Sequence, residues 1–456
     1  MSWSPKYAIL MLVSTIVTYY SGVLIKKSNL KEDAKQKTLE KKIWVGLSFT
    51  INLAILFFFK YFNFINESFI TLFNQLDIKW GVPNFDVLLP VGISFYTFQA
   101  LSYTMDVYRD DIVAEKNFLK YALFVSFFPQ LVAGPIEKST NLLPQLSQVH
   151  KFNYTRIKEG LLLMLWGLFK KVVIADRLAV VVNTVYNSPQ QYEGFSLILA
   201  TVFFAFQIYC DFSSYSDIAI GSAKVMGFDL MENFNRPYFS KSIAEFWRRW
   251  HISLGGWFRD YLYFPLGGSR GSKLNKYRNV MVVFLLSGLW HGASWNFVIW
   301  GALHGCFQVL GYEFSNLRQK TTSFLKIKKE SFSYRLYQVI FTFILVDFAW
   351  IFFRSNNFED SKYIVANIFN FNPEVIFDGT FYKLGLDEYD FKLAIYVIIF
   401  LLLMQLIQRR VAMSEWIKEQ HIFFRWSVYF AGIYSIIIFG YYGSGYDASQ
   451  FIYFQF

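Results

Sequence analysis

Long apolar segments recur along the whole chain, and they constrain its fold more than any other feature of the sequence. A membrane crossing needs about 20 predominantly apolar residues, so segments near that length are expected to span a bilayer. The shortest, above all residues 280–290, are expected to be re-entrant or buried inside protein. The segments lie at residues 7–25, 43–59, 87–108, 118–132, 161–182, 195–209, 280–290, 297–310, 336–353, 393–407 and 426–442.

The composition supports a membrane location for these segments. Hydrophobic residues make up 54% of the chain and charged residues 17%, against about 25% charged residues in a typical soluble domain. Phe, Tyr and Trp together account for 21%. A soluble core cannot hide so much apolar surface without more polar covering, whereas lipid can. The sequence therefore predicts an all-α polytopic membrane protein with about nine to eleven membrane helices in one domain.

Charged residues are distributed unevenly along the chain, whose formal net charge is +11. Residues 26–42 contain seven lysines and three acidic residues, and residues 318–335 and 409–425 are also basic. Residues 355–390 contain seven acidic residues and two lysines. Because lysine and arginine prefer the cytoplasmic side of a membrane, we expect the basic segments inside, 355–390 outside, and 443–456 as an extracytoplasmic tail. The charge therefore indicates topology and not a nucleic-acid partner.

Cysteines and histidines do not form a recognisable metal or disulfide pattern. Cys210 and Cys306 lie far apart in apolar segments, which fits neither a disulfide framework nor a zinc site. His251, His291 and His304 also lack the compact spacing of metal ligands, so no metal is predicted. The chain has no G-x-S-x-G motif, which argues against the hydrolase type of serine nucleophile.

Polar side chains interrupt the apolar stretch at residues 207–221, which reads QIYCDFSSYSDIAIG. Because polar groups at membrane depth are costly, each of them is a candidate functional group. On a helix, Asp211 and Tyr215 share a face, whereas Asp217 is turned by roughly 100° or more from Asp211. Two interpretations stay open: these groups tie helices together by hydrogen bonds, or they contact substrate directly.

Residues 236–278 break the hydrophobic rhythm with arginine, tryptophan, tyrosine and glycine, and we expect them on the cytoplasmic side. Within them, Arg249, Trp250, His251 and Arg259 place cationic and aromatic side chains close together in sequence. One interpretation is an interfacial loop that is anchored by aromatics and arginines. The other is a cationic, aromatic surface that holds the phosphates and adenine of coenzyme A.

His291 ends an apolar segment in FLLSGLWHGASWN, residues 284–296, in a chain with five histidines. Its neighbours Gly288 and Gly292 permit close approach of a backbone or a ligand. Dry aromatic surroundings strengthen electrostatic interactions, and an imidazole is the natural base near neutral pH for taking a proton from a hydroxyl. These residues favour acyl transfer to a hydroxyl with His291 as general base. A transporter would satisfy the composition equally well.

Six motifs follow one another over nearly the whole chain: LPVGISFYTFQALSYTMDVYR (89–109), FFPQLVAGPIEK (127–138), YCDFSSYSDIAIG (209–221), FWRRWHISLGGWFRDYLYFPLGG (246–268), SGLWHGASWNFVIWGALHG (287–305) and FIYFQF (451–456). Together they resemble the membrane-bound O-acyltransferases, in the bacterial branch of alginate and peptidoglycan O-acetyltransferases. The D-alanyl transfer protein of teichoic acid modification is a more distant cousin. The order and coverage of the motifs make this resemblance specific.

The resemblance implies a ring of membrane helices around a thin core with a tunnel through it. His291 matches the family's invariant histidine, which helps to move an acyl group from a cytoplasmic thioester to an acceptor reached from the outer side. The resemblance also implies that Arg249, Trp250, His251 and Arg259 line the cytoplasmic part of the site.

Further substrate-binding candidates are Asp211, Tyr215 and His304. The implied donor is acetyl-CoA or an acyl-carrier thioester, with no bound cofactor. In this branch a C-terminal tyrosine has been proposed to relay the acyl group to an extracytoplasmic SGNH-type acetyltransferase, and Tyr453 in FIYFQF matches it. The resemblance thus implies an acetyltransferase of the bacterial inner membrane that serves a polysaccharide.

Two other functions stay open on the sequence alone. D-alanyl transfer for teichoic acid modification is the nearer one, although in that system the tyrosine generally belongs to a separate small partner. A non-catalytic polysaccharide transporter or export scaffold would also fit the composition. Family members usually carry further hydrophobic helices ahead of the segment that begins here, so N-terminal family helices are expected to be missing.

Overall fold

The computed structural model describes residues 6–78, 80–85 and 89–442, and across these ranges the regular structure is helical, with no β-strand. The helices are α1 (Lys6–Ser28), α2 (Ala34–Gln75), α3 (Ile93–Tyr108), α4 (Phe118–Val125), α5 (Ser139–Gln145), α6 (154–186), α7 (Phe195–Met226), α8 (Ile243–Trp247), α9 (252–263), α10 (Lys273–His291), α11 (Trp295–Glu313), α12 (Ser315–Phe324), α13 (Phe332–Arg354), α14 (Phe358–Asn367), α15 (Glu388–Ile407), α16 (Met413–Glu419) and α17 (Ile422–Phe439). Short 3-10 turns lie at Pro189–Gln191, Pro237–Phe239, Pro373–Ile376 and Thr380–Lys383.

Within the described residues, six helices are long and apolar enough to cross a membrane, namely α1, α2, α7, α13, α15 and α17. The all-α, polytopic prediction is therefore confirmed. Other apolar segments, which were counted among the nine to eleven predicted membrane segments, form helices that are shorter or less apolar than these six. Helix α3 has 16 residues and is buried along almost its whole length. Helices α10 and α11, of 19 residues each, pack against each other as a hairpin.

Segment 118–132 does not form the membrane span that its hydropathy predicts. Its helix, α4, ends at Val125 after 8 residues, and the chain then turns through Pro129 to Gly134. A proline shortly beyond the end of a helix cannot continue it. Instead Phe124 is fully buried in a core cluster with residues of α1 and α3. The prediction was wrong because a count of apolar residues does not register the proline.

Helices α6 and α7 pack along much of their length with their backbones in contact. A Cβ atom added at Gly160 would lie 2.6 Å from the carbonyl oxygen of Gly221, and one added at Gly221 would lie 2.6 Å from the carbonyl oxygen of Gly160. Glycine at both positions is therefore what lets the two helices approach so closely. This packing helps to make α7 a central, largely buried helix.

Helices α10 and α11 show the same device at the turn that joins them. A Cβ at Gly288 would lie 2.2 Å from the carbonyl oxygen of Phe297, and a Cβ at Gly301 would lie 2.3 Å from that of Phe284. The short turn after His291 therefore lies between two helices whose backbones touch. This arrangement places the end of α10 inside the protein, where it meets α13 and the segment before α9.

Among the helices that the structure describes, three contain a π-helical turn, at Phe57–Tyr61, Phe169–Ala175 and Arg259–Tyr263. Such turns are rare and occur often at functional sites, because the extra residue leaves backbone carbonyls and side chains in positions that an α-helix does not offer. In this protein each of the three carries charged residues within or beside an apolar helix.

Candidate functional site

His291 is the last residue of α10, and its side chain lies in an aromatic chamber. The residue is 6% exposed. Its imidazole centroid is 5.0 Å from the ring of Trp290, 5.1 Å from that of Trp300 and 5.3 Å from that of Phe353, all at steep angles. The ring of His251 lies 6.2 Å away. The structure thus brings two of the predicted histidines into one buried site.

His251 precedes α9 and adopts a left-handed backbone conformation, with φ 45° and ψ 55°. It is 1% exposed, and its ring packs edge-on against Phe212 at 4.7 Å. The backbone N–H of Ile252 donates to the carbonyl oxygen of Asn233 at 2.9 Å, which attaches this turn to the segment after α7. The unusual turn therefore aims the imidazole into the protein interior.

The hydrogen bonds of Asn233 determine which nitrogen of His251 carries the proton. The backbone N–H of Ser253 donates to Asn233 Oδ1 at 3.3 Å, while Asn233 Nδ2 donates to Ser216 Oγ at 3.2 Å. His251 Nδ1 lies 3.1 Å from the same Oδ1, which accepts only, so Nδ1 is the protonated nitrogen. Nε2 then carries a lone pair. It is buried and has no hydrogen-bond partner among the described residues.

His304 lies one ring away from His291 and has the opposite tautomer. Trp247 Nε1 donates to His304 Nδ1 at 3.2 Å, so the proton of a neutral His304 is on Nε2. The residue is fully buried, and its ring is 5.0 Å from Trp300, which in turn contacts His291. His304 therefore lines the same aromatic region behind the histidine pair.

Arg249 and Trp250 flank this region without forming an exposed cationic surface. Arg249 Nη2 pairs with Glu245 Oε1 at 2.6 Å. Trp250 is 2% exposed, and its ring packs 5.0 Å from Phe234 and 5.1 Å from Trp350. Trp250 is thus part of the aromatic core, and Arg249 is paired with an acidic residue of the same turn.

Arg259 belongs to a charged cluster at the end of α9 that sequence reasoning recognised only in part. Arg259 Nε pairs with Asp260 Oδ1 at 2.8 Å, Arg109 Nη2 donates to the Asp260 carbonyl oxygen at 3.0 Å, and Lys138 pairs with the Asp260 carboxylate. Three cations thus surround one acidic residue. Burial raises the pKa of Asp260, but the bonds from Arg259 and Lys138 outweigh it and hold the pKa below its usual value.

A continuous series of aromatic rings joins this cluster to His291. Tyr261 lies 5.3 Å from Trp257, which stacks on Phe98 at 3.8 Å, and Phe98 lies 5.7 Å from Trp290, the neighbour of His291. Four ring-to-ring steps of about 5 Å span at most about 20 Å. The exposed charged cluster and the buried histidines are therefore two ends of one aromatic wall.

Asp211 and Asp217 lie in ion pairs between α7 and the π-helical turn of α6. Lys171 Nζ is 2.6 Å from Asp211 Oδ1 and 2.8 Å from Asp176 Oδ1, and Lys170 Nζ is 2.9 Å from Asp217 Oδ2. This is the arrangement of the first interpretation, in which the carboxylates tie helices together. A role in substrate contact for Asp211 stays a prediction.

Tyr215 is half-buried and packs against the aromatic cluster that contains Trp257 and Trp290. Tyr453, the proposed relay, lies outside the described residues. The described chain approaches it through Tyr441, whose backbone N–H donates to the carbonyl oxygen of Val172 at 2.8 Å. The π-helical turn of α6 therefore anchors the segment that leads into the C-terminal tail.

Lys60 and Tyr61 also reach the site, and sequence reasoning did not single them out. Their side chains donate hydrogen bonds to backbone carbonyls at the end of α10, beside His291. A signal was present in the sequence, since Lys60 follows directly after the apolar segment 43–59. For metals, no group of three or more His, Cys, Asp or Glu side chains that could hold an ion occurs within residues 6–78, 80–85 and 89–442.

The chain is similar to known proteins along most of its length. Residues 58–354 match the sequence pattern of the MBOAT, or membrane-bound O-acyltransferase, family. The chain is 38% identical over 380 residues to the probable alginate O-acetylase AlgI of Azotobacter vinelandii. The aligned region covers 82% of this chain and 71% of the relative. It is 34% identical over 399 residues to the peptidoglycan O-acetyltransferase of Helicobacter pylori, at 81% and 71% coverage.

A more distant similarity connects the chain to teichoic acid modification. The teichoic acid D-alanyltransferase of Bacillus subtilis is 28% identical over 297 residues, which cover 61% of this chain and 71% of the relative. The order of these similarities is the order that the motifs predicted. The extent of the family match and the identity to the acetylases leave one conclusion: the chain belongs to the membrane-bound O-acyltransferase family and is a multi-pass membrane acyltransferase.

Proposed function

We propose that this acyltransferase moves an acetyl group from a cytoplasmic thioester, acetyl-CoA or an acetylated carrier, across the bacterial inner membrane. The acetyl group then serves O-acetylation of an extracytoplasmic polysaccharide, either an alginate-like exopolysaccharide or peptidoglycan. The single observation that carries this proposal is the pair His291 and His251, 6.2 Å apart in a buried aromatic chamber. The names of the two acetylase relatives support the choice of acetyl and of polysaccharide.

In this reaction His291 acts as general base. The hydroxyl oxygen of the acceptor attacks the thioester carbonyl carbon while the imidazole takes the hydroxyl proton. The C–O bond forms, the C–S bond breaks, and the proton passes on to the departing thiolate. Because the single hydroxyl proton goes to His291, the lone pair on His251 Nε2 is assigned to another donor, an amide N–H of the pantetheine arm, and in this way helps to position the thioester. The proposal requires a passage to His291 from both sides of the membrane, and this tunnel stays a prediction.

Indole groups beside His291 supply the donors that such a reaction needs. The Nε1–H groups of Trp290 and Trp300 are buried and have no hydrogen-bond partner among the described residues. Both rings contact His291. We assign them to the carbonyl oxygen of the thioester, whose negative charge grows in the transition state. Fixed donors in a dry site stabilise such charge more effectively than water does.

The donor side of the proposal uses the charged cluster around Asp260. Arg259 and Lys138 pair with the Asp260 carboxylate, and Arg109 binds the backbone carbonyl of the same residue, so three cations lie beside one carboxylate. The positive excess is what a phosphate requires. A phosphopantetheine arm has about thirteen bonds, comparable to an extended peptide of about four residues, and reaches roughly 15 Å. That reach suits the aromatic wall between the cluster and His291. Arg249 and Trp250 flank the chamber and His304 lies behind the histidine pair, so a contact of these three residues with the donor stays a prediction.

On the outer side, we propose that Tyr453 accepts the acetyl group and passes it to an SGNH-type acetyltransferase. The acidic segment 355–390 and the tail 443–456 face the extracytoplasmic side in this proposal, and the basic segments 26–42 and 236–278 face the cytoplasm. D-alanyl transfer is less well supported. The relative of that function has lower identity than the acetylases, and this chain carries its own terminal tyrosine in FIYFQF.

The proposed function is tested by His291→Ala in a strain that lacks the native gene. We expect acetylation of the polymer to fall by roughly 10²- to 10⁴-fold, because proton transfer by a positioned side chain contributes that much to such reactions. Acetyl content of the purified polymer and the amount of protein in the membrane are measured together. The matched control is His421→Ala, which changes an exposed histidine. Normal acetylation with His291→Ala would refute the catalytic role.

A second experiment separates the enzyme from a polysaccharide transporter. A transporter forms no acylated intermediate, whereas the proposed relay places an acetyl group on the tail. Mass spectrometry of the tail peptide from the purified protein, after incubation with acetyl-CoA, distinguishes the two functions. Absence of the acetylated peptide from a catalytically active preparation would contradict the relay.

A further inference from the structure

The last turn of α10 carries four carbonyl groups that the helix itself cannot satisfy. The first of them, on Gly288, accepts the backbone N–H of Gly292 at 3.3 Å. The second, on Leu289, accepts the phenolic hydroxyl of Tyr61 at 2.9 Å. Helix α2, which is far from α10 in sequence, thus contributes to the end of the helix that carries His291.

Lys60 satisfies the remaining two carbonyls with a single ammonium group. Its Nζ donates to the carbonyl oxygen of Trp290 at 2.7 Å and to that of His291 at 3.1 Å. All four terminal carbonyls of α10 are therefore accounted for, three of them by two adjacent side chains of α2. One of these carbonyls belongs to His291 itself.

The backbone of α2 changes at this position. Residues Phe57–Tyr61 form a π-helical turn, and the N–H of Phe62 donates back to the carbonyl oxygen of Phe57, five residues earlier. A π-helical turn inserts one extra residue and rotates the side chains that follow. In this protein, the turn ends with the two residues that contact α10. A charged side chain within an apolar membrane helix is costly, so its placement marks a functional candidate.

We propose that Lys60, assisted by Tyr61, is a positioning residue that holds His291 in its catalytic orientation. The proposal rests on the proposed role of His291. The carboxyl end of a helix carries partial negative charge, and a cation there stabilises its last turn. Because the last turn would otherwise fray, the Lys60 ammonium fixes the backbone of residue 291 and with it the imidazole among Trp290, Trp300 and Phe353.

The test is Lys60→Met, which keeps an unbranched aliphatic side chain of similar length but removes the positive charge and the hydrogen-bond donors. We expect kcat for acetyl transfer to fall roughly 10- to 100-fold, since a displacement of about 1 Å at a reacting group costs that much. The KM for acetyl-CoA should change by less than about threefold, because Lys60 is remote from the charged cluster at Asp260. Lys60→Arg, which restores a cation with several donors, should recover most of kcat.

Two matched variants control this experiment. Lys42→Met makes the same substitution at an exposed position of the same helix, about 27 Å along its axis, and should behave as wild type. Tyr61→Phe removes only the bond to Leu289 and should lower kcat by about threefold without changing KM. All variants are compared at equal amounts of folded protein, measured by size-exclusion chromatography and thermal melting in detergent.

His291→Ala, measured in parallel, separates failure of this inference from failure of the proposed function. If His291→Ala abolishes transfer while folded Lys60→Met keeps the wild-type kcat, the positioning role is wrong and the catalytic role stands. If Lys60→Met does not accumulate, the kcat values of Lys60→Arg and Tyr61→Phe test the positioning role instead. An Arg variant that folds but stays inactive, or a Phe variant with the wild-type kcat, would overturn the proposal.

Discussion

His251 shows the most marked backbone strain among the site residues. Its φ of 45° lies in the left-handed region, where a residue with a Cβ atom costs about 1–2 kcal/mol. Such strain persists where the surroundings hold it in place, and it concentrates at functional sites. In this protein Asn233 holds the turn, through the bonds that it makes to His251 and to Ser253. The strained turn therefore has an identifiable cause and a purpose, which is to direct the ring toward His291.

At this scale we predict the effect of His251→Asn. Asparagine tolerates the left-handed backbone but does not place a lone pair where imidazole Nε2 lies. We therefore expect a folded protein whose kcat/KM for acetyl transfer falls by roughly 10²-fold. His421→Asn is the control, because His421 caps the exposed start of α17 and asparagine is also a good cap. Equal activity of the two variants would mean that His251 only supports the fold.

Single residues also show where sequence reasoning is limited. His291 could be recognised as a candidate because an imidazole can itself act as a base and its neighbours form a specific motif. Asn233 and Lys60 act through the backbone and the proton position of other residues. Neither their spacing nor their chemistry indicates a partner that lies far away in sequence. A polar residue that orients another residue is therefore visible only when the contact is seen.

At the scale of helices, the contact between α10 and α11 decides where His291 lies. Their backbones touch because Gly288 and Gly301 leave no side chain between them. Glycine at position 288 predicts a close approach, and the approaching group is the backbone of α11. The prediction of close approach is thus confirmed, with a helix and not a ligand as the partner.

We predict that Gly301→Leu separates these helices. The added Cβ would lie 2.3 Å from the carbonyl oxygen of Phe284, and overpacking of this kind typically costs about 1–3 kcal/mol. We expect a lower melting temperature in detergent and loss of most acetyl transfer, since His291 would move with α10. The control is Gly311→Leu on the same helix, where an added Cβ meets nothing within 4 Å. Unchanged activity and melting of Gly301→Leu would show that the helices can adjust.

At the scale of the whole molecule, the charge distribution predicts a cytoplasmic and an extracytoplasmic side. In the proposed function the acetyl donor is cytoplasmic and the polymer is not, so the enzyme must bring both to one imidazole. The charged cluster at Asp260 marks one side of the aromatic wall, and the tail that begins after Tyr442 is proposed to lie on the other. Anchoring of Tyr441 on Val172 gives that tail a defined starting point.

This arrangement predicts the outcome of Tyr453→Phe, which keeps the ring and removes the hydroxyl. If Tyr453 is the relay, polymer acetylation should fall to the level of His291→Ala, because the proposed route carries the acetyl ester on the phenolic oxygen that this change removes. Acetyl content of the polymer is the measurement. Tyr446→Phe, in the same tail, is the control and should leave acetylation unchanged. Full acetylation with Tyr453→Phe would rule out the relay and point to direct transfer to another acceptor.

The sequence alone determined the properties that are local or additive. Hydropathy sums over neighbouring residues, so it predicted an all-α membrane protein. The ordered motifs predicted the family and indicated His291 as the candidate catalytic residue. Hydropathy failed at segment 118–132, where Pro129 limits the helix to 8 residues. The tertiary structure decided the rest, because side chains distant in sequence met only through helix packing: His251 beside His291, and Lys60 on the carbonyls of α10. Such side-chain contacts depend on how the helices pack against one another, and no single segment of the sequence encodes that packing.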